Sequence, residues 1–171
     1  MLKSILAGAA FALVASTVSA ATAAKDDWIT VRNSMVIKAP AEKLWSVVGG
    51  FCDLPRLNKQ TCTYIKGTGG LGTVRLTDGE AQGVKIGEGK YNFSFFYTVG
   101  GSRGGPPVEA RYHTNLEVVP SDDNKTSTLI ITLVYDQSVL ADDAERAARK
   151  ASHINGFEEH FRTTKELAEK K

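Results

Sequence analysis

One long helical period closes this chain, and most of what precedes it reads as strand. Across residues 141–169, Ala144, Ala147, Ala151, Ile154, Phe157, Phe161 and Leu167 return at the spacing of one helix face. At about 1.5 Å per residue such a helix reaches roughly 40 Å, enough to cross a whole sheet. The segments ahead of it alternate. Tyr91, Phe93, Phe95, Tyr97 and Val99 share one side of a strand, with Asn92, Ser94 and Thr98 on the other. Val108 to Val118 does the same: Tyr112, Thr114 and Leu116 point inward, while Glu109, Arg111, His113, Asn115 and Glu117 point to solvent. After turn residues 120–124, the stretch Thr126 to Tyr135 is apolar on both sides around Leu129 to Val134. The upper half of the helix offers alanines where its lower half offers phenylalanines. Small residues over a curved sheet leave space, so a hollow is expected there, although close helix–sheet packing would produce the same pattern.

Earlier in the chain Trp28 to Ile37 is rich in β-formers, and Pro40 stands where a first helical turn accepts proline. Ala41 to Val48 follows as a short helix with Leu44, Val47 and Val48 on one side, stopped by Gly49 and Gly50. Phe51 to Leu57 is a second helical piece interrupted by Pro55. Thr61–Lys66 and Thr73–Thr77 are strands flanking Gly67-Thr68-Gly69-Gly70-Leu71-Gly72. That hexapeptide matches the dinucleotide fingerprint G-x-G-x-x-G, which works only where a helix N-terminus follows to hold the pyrophosphate. A strand follows here, so a glycine-rich hairpin is expected and no cofactor is implied.

The N-terminus sets the compartment. Lys3 is followed by uncharged Ile5 to Val14 and by the small-x-small pattern Val18-Ser19-Ala20. Residues 1–20 are expected to be a signal peptide cleaved between 20 and 24, leaving 25–171 as a single periplasmic domain with no membrane span. A retained N-terminal anchor is the alternative. The apolar stretch falls short of the roughly 20 residues that a span needs. In an exported chain Cys52 and Cys62 are expected to pair as a disulfide rather than to act in redox chemistry. The 21 basic and 19 acidic residues are too evenly balanced for a dedicated nucleic-acid binder.

Strand, two short helices, a run of antiparallel strands and one long terminal helix is the order of the helix-grip fold, an α+β class. The stretch Ala39-Pro40-Ala41-Glu42-Lys43-Leu44-Trp45-Ser46-Val47-Val48-Gly49-Gly50-Phe51, followed by Leu54-Pro55, resembles the start of the START/Bet v 1-like (SRPBCC) superfamily. Ala141 to Ala144 and Ile154 to Phe157 resemble the terminal helix of its polyketide cyclase/dehydrase-like branch. With a signal peptide, the chain is similar to the small periplasmic, MxaD-like members of that branch. That resemblance implies an accessory role in methanol oxidation, beside methanol dehydrogenase and its cytochrome. It covers nearly the whole chain after the signal, yet its motifs specify a fold far more than a reaction. After Leu-Pro many relatives carry Trp, often followed by His-Pro; this chain has Leu57-Asn58-Lys59, so no role of those aromatic residues transfers.

Residue chemistry points away from catalysis. His113, His153 and His160 lack metal-ligand spacing, no acidic run fits a calcium loop, and no metal is expected. There is no G-x-S-x-G elbow, and Cys52 has no evident His partner. A cyclase or aromatase could use Arg75, Lys85, Glu88, Tyr97 or Tyr112, although Tyr on an inward face is ordinarily core and the charged three are ordinarily solvated. No catalytic residue is assigned. The aromatic interior says more: Phe93, Phe95, Tyr97, Tyr112, Leu116, Ile131 and Leu133 are expected to face Ala147, Ala151 and Ile154 across the hollow. An open hollow would suit a sterol-like, fatty or aromatic ligand; a filled core is the other possibility. The Gly100–Pro107 connection, whose only charge is Arg103, would lie at the cavity mouth. The face carrying Glu109, Arg111, His113, Asn115 and Glu117 is a candidate contact for a periplasmic protein partner.

Overall fold

The computed structural model describes residues 27–99 and 110–170; the expected signal peptide, the glycine-rich connection with Arg103, and Glu109 lie outside them. The elements run β1 (Trp28–Ile37), α1 (Ala41–Val48), α2 (Asp53–Leu57), β2 (Cys62–Lys66), β3 (Val74–Thr77), β4 (Ala81–Gly89), β5 (Asn92–Val99), β6 (Ala110–Pro120), β7 (Ser127–Asp136) and α3 (Asp143–Ala168). Seven strands make one sheet in the order β1-β7-β6-β5-β4-β3-β2, with every neighbouring pair antiparallel. The sheet curves around α3, which is the helix-grip arrangement.

β4 is the element that the sequence did not announce. Gly83, Gly87 and Gly89 interrupt it, and its apolar residues Val84 and Ile86 turn away from the helix. Its turn from β3 is made by Asp78 and Gly79, both at positive φ (51° and 74°), which suits a tight hairpin between twisted strands. Gly67-Thr68-Gly69-Gly70-Leu71-Gly72 is the β2–β3 hairpin loop, with Gly67 and Gly72 at φ 79° and 74°, and a strand follows it. Cys52 and Cys62 form a disulfide across a sequence separation of 10, tying the start of α2 to the start of β2.

α3 starts at Asp142, whose carboxylate accepts the Glu145 N–H at 2.8 Å and satisfies one free donor of the first turn. Its C-terminal half buries Phe157, Phe161, Thr164 and Ala168. Together with Leu44 and Val48 of α1, these residues close over Ile37 of β1, Leu116 of β6 and Leu129 of β7. Full burial of side chains of this size contributes roughly 1.5–3 kcal/mol each. The tight end of the molecule therefore fixes how α3 enters, and the other end is left to the site.

Candidate ligand cavity

Beneath the middle of α3 the helix and sheet part to leave a partly open cavity of about 260 Å³. Phe95 and Tyr97 of β5, Thr114 of β6, and Ile131 and Leu133 of β7 form the floor. α3 roofs it with Ser152, His153, Gly156, Phe157 and His160, and Leu54 and Pro55 of α2 close one end. β3 and β4 supply the side wall through Arg75, Thr77, Ala81 and Gly83.

Four of the ten residues expected around the hollow, Phe95, Tyr97, Ile131 and Leu133, line it. Phe93, Tyr112 and Leu116 face inward and are buried, but they pack into the core outside the cavity wall. Ile154 is half-buried against the same core. Ala147 and Ala151 are exposed, which corrects the expected helix face. Stepping back in fours from the buried Phe161 and Phe157 reaches His153 and Arg149, so polar residues rather than alanines meet the sheet. Arg149 Nη1 donates to the Tyr112 hydroxyl at 3.2 Å, and the His153 ring packs on Tyr112 and Tyr135 at centroid distances of 5.6 and 4.9 Å. Gly156 is among the lining residues, and an added Cβ there would meet nothing within 4 Å.

The side wall reverses the usual polarity of a sheet. On β3 the apolar Val74 and Leu76 are half-exposed, while Arg75 and Thr77, with Thr73 just before the strand, are buried. Arg75 and Lys85, ordinarily solvated types, are only 8% and 7% exposed. Lys85 is committed locally, pairing with Glu88 at 2.5 Å and donating to the Gly69 carbonyl at 3.0 Å. Arg75 is different. Its guanidinium packs on the adjacent rings of Phe51 (4.2 Å) and Phe95 (4.4 Å), and Nη1 donates to the Phe51 carbonyl. Among the described residues no carboxylate pairs with it, and none of the residues lining the cavity is acidic. Gly83 faces it in register, and an added Cβ there would approach the Arg75 side chain to 3.4 Å. Phe51 adjoins the disulfide, so the Cys52–Cys62 link helps to hold one of the two rings over this cation.

Burial draws the Arg75 pKa down to about 10, which leaves it cationic at neutral pH. Desolvation also lowers both cavity histidines to about 4; Arg149 adds to the shift at His153, while at His160 Glu159 opposes it and Arg75 adds to it. Burial pushes the Tyr97 phenol up, and its ring stacks on Tyr112 at 4.6 Å. His153 Nε2 and His160 Nδ1 are buried without a hydrogen-bond partner. Asn58 Nδ2 lies 3.2 Å from His160 Nε2, so Asn58 supports a cavity histidine. A more open cleft of about 690 Å³ adjoins, sharing Gln60 and His160 with the cavity.

Elsewhere, His113, Asn115 and Glu117 lie half-buried on the convex face of the sheet, away from α3; the Arg111 side chain is outside the described residues. Among the described residues no cluster of His, Cys, Asp and Glu could hold a metal ion, and no helix is long and apolar enough to cross a membrane.

No family profile and no curated protein matches the chain. Solved structures do. A Nitrosospira multiformis protein matches with a TM-score of 0.58 at 20% identity, covering 77% of this chain and 93% of its own. Ara h 8.0201 matches with a TM-score of 0.58 at 17% identity, covering 81% and 98%. An uncharacterized Bacillus thuringiensis protein matches with a TM-score of 0.55 at 18% identity, covering 77% and 96%. The likeness is one of fold: this chain has a Bet v 1/START-like architecture.

Proposed function

We propose that this chain is an exported, non-enzymatic binding protein that holds a small hydrophobic molecule between its sheet and its terminal helix. The observation that carries the reading is the cavity of about 260 Å³ with a floor of Phe95, Tyr97, Ile131 and Leu133. Concave, mostly apolar spaces with a few polar groups are how small-molecule sites are built. The polar groups present do not form an acid–base pair at neutral pH. Both histidines are held neutral with little basicity, and Tyr97 is held protonated. Among the described residues no carboxylate lines the cavity to serve a cyclase-type reaction.

Its compartment is the periplasm, a reading supported by the signal-like residues 1–20 and by the Cys52–Cys62 disulfide, which suits an oxidising environment. Its physiological role is to assist methanol oxidation, as carrier or docking partner for methanol dehydrogenase or its cytochrome. That part rests on the resemblance of residues 39–51 and 141–157 to the MxaD-like branch. Native mass spectrometry of protein purified from its own periplasm is the test. A bound small molecule supports the carrier, and a co-purifying dehydrogenase or cytochrome supports the methanol role. Bare protein that also converts a polyketide substrate would replace both with the cyclase.

A further inference from the structure

The side wall of the cavity carries a positive charge that none of the described residues neutralises. Arg75 is 8% exposed, packs on two adjacent aromatic rings, and spends one N–H on the Phe51 carbonyl. A guanidinium has five N–H donors in a planar fork, a geometry that matches a carboxylate. Buried cations are ordinarily paired, because leaving water is costly unless a counter-charge replaces it. Among the described residues that counter-charge is absent, so it must come from elsewhere.

The opposite wall is short of partners too. His153 Nε2 and His160 Nδ1 both belong to cavity-lining residues, and both are buried without a hydrogen bond. Buried polar atoms in folded proteins are nearly always satisfied, by protein, water or ligand. Arg75 and His160 both line the cavity, and Gln60 and His160 also front the adjoining cleft. The remaining lining, Ile131, Leu133, Phe157 and Phe95, is apolar.

Size narrows the choice. An apolar cavity of about 150 Å³ admits benzene, and drug-sized ligands take roughly 300–1,000 Å³. A cavity of about 260 Å³ therefore suits a single ring with a short side chain, or a short acyl chain.

Resting on the hydrophobic-ligand reading above, we propose that the ligand is a small hydrophobic carboxylic acid. Its carboxylate pairs with Arg75 and His160 at the end facing the cleft. Its apolar body lies over Ile131 and Leu133 beneath Gly156. Gly156 leaves the body its room, and the neutral histidines supply hydrogen bonds without a competing charge. The rings of Phe51 and Phe95 hold the guanidinium in place before the ligand arrives, so little ordering remains to be done on binding.

Matched pairs of ligands test this. Octanoate is titrated against octanol, and cinnamate against cinnamyl alcohol, at pH 7 by isothermal titration calorimetry with the purified protein. Members of a pair share an apolar body and differ in the head group. The expected result is that each acid binds about 10- to 100-fold tighter than its alcohol, the range for a charge-assisted hydrogen bond in place of a neutral one. Arg75→Met is expected to remove that preference and keep the alcohol's affinity. Arg75→Lys, which keeps the charge and loses the fork, is expected to retain part of it. Equal affinity within each pair overturns the carboxylate and leaves the hydrophobic-ligand reading in place. Failure of all four compounds to bind overturns both. A preference that survives Arg75→Met overturns Arg75 as the anchor. If Arg75→Met does not fold, the pairs on the unsubstituted protein still decide the ligand class.

Discussion

Where β7 turns Leu129, Ile131 and Leu133 toward α3, β3 turns Arg75 and Thr77 in the same direction. Strands of one sheet thus follow opposite polarity rules at its two ends. Near β1, β7 and β6 the inward face is apolar, α1 and the C-terminal half of α3 cover it, and Ile37, Leu44, Leu116 and Leu129 are fully buried. Near β3 and β4 the inward face is polar, Val74, Leu76 and Val84 point outward half-exposed, and Ile86 is exposed. Hydrophobic burial alone explains the first region. It argues against the second, where apolar side chains were available on the same strands and face the other way. A buried polar face that stability does not require is what a recognition site looks like.

If the division is real, substitutions in the two regions should differ in size and in what they affect. Phe161→Ala in the packed region should cost about 3–5 kcal/mol, read as a lower denaturant midpoint, because it leaves a void where neighbours are already closed around the ring. A loss below about 1 kcal/mol would mean that this end is not the rigid one.

The open region should give itself away through pH. His153 and His160 titrate near 4 when folded and at about 6.5 when unfolded, so protons favour the unfolded chain between those values. The stabilising effect of keeping them neutral is complete above about pH 6.5 and is lost as pH falls toward 4. Discounted for partial exposure, the loss should be roughly 3 kcal/mol in all. A double His153→Gln, His160→Gln variant should flatten the pH dependence of unfolding over this range. The groups facing His160 are Asn58, Glu159 and Arg75, and those facing His153 are Arg149, Tyr112 and Tyr135. A carboxylate bound at Arg75 should raise the His160 pKa, which NMR titration of its ring would detect.

The disulfide joins the two comparisons. Replacing Cys52 and Cys62 by Ser together should cost about 2–3 kcal/mol from the freed loop. It should weaken ligand binding more than Phe161→Ala does, since Phe51 beside it holds Arg75. The smallest effect has the opposite sign. Gly156→Ala should stabilise α3 by about 0.5–1 kcal/mol while weakening ligand binding, because its methyl group enters the cavity.

Much of the fold was legible in the residues. β1 and α1 fall at Trp28–Ile37 and Ala41–Val48 as their patterns predict, and the alternation of β5 and β6 gives the inward face. β4 was not legible, because glycines and outward Val84 and Ile86 erase the period that marks a strand. The site was legible where it is apolar. Phe95, Tyr97, Ile131 and Leu133 could be read from alternation because burying them is what the sheet does anyway. Arg75 could not, since Val74 and Leu76 on either side make the opposite face look buried, and nothing local reports that Phe51 will cover it. The helix face went to the alanines for a related reason. In an amphipathic pattern, small apolar residues outrank histidine and glycine as core, and here His153, Gly156 and His160 face the sheet.

The hollow itself is the claim on which the rest depends, and a crystal structure of the protein under xenon pressure tests it most directly. Xenon should occupy the space bounded by Ile131, Leu133, Phe157 and Gly156 and be absent between Phe161, Leu44 and Leu129. Side chains of those four residues closed on one another, with no xenon between α3 and the sheet, would contradict the account.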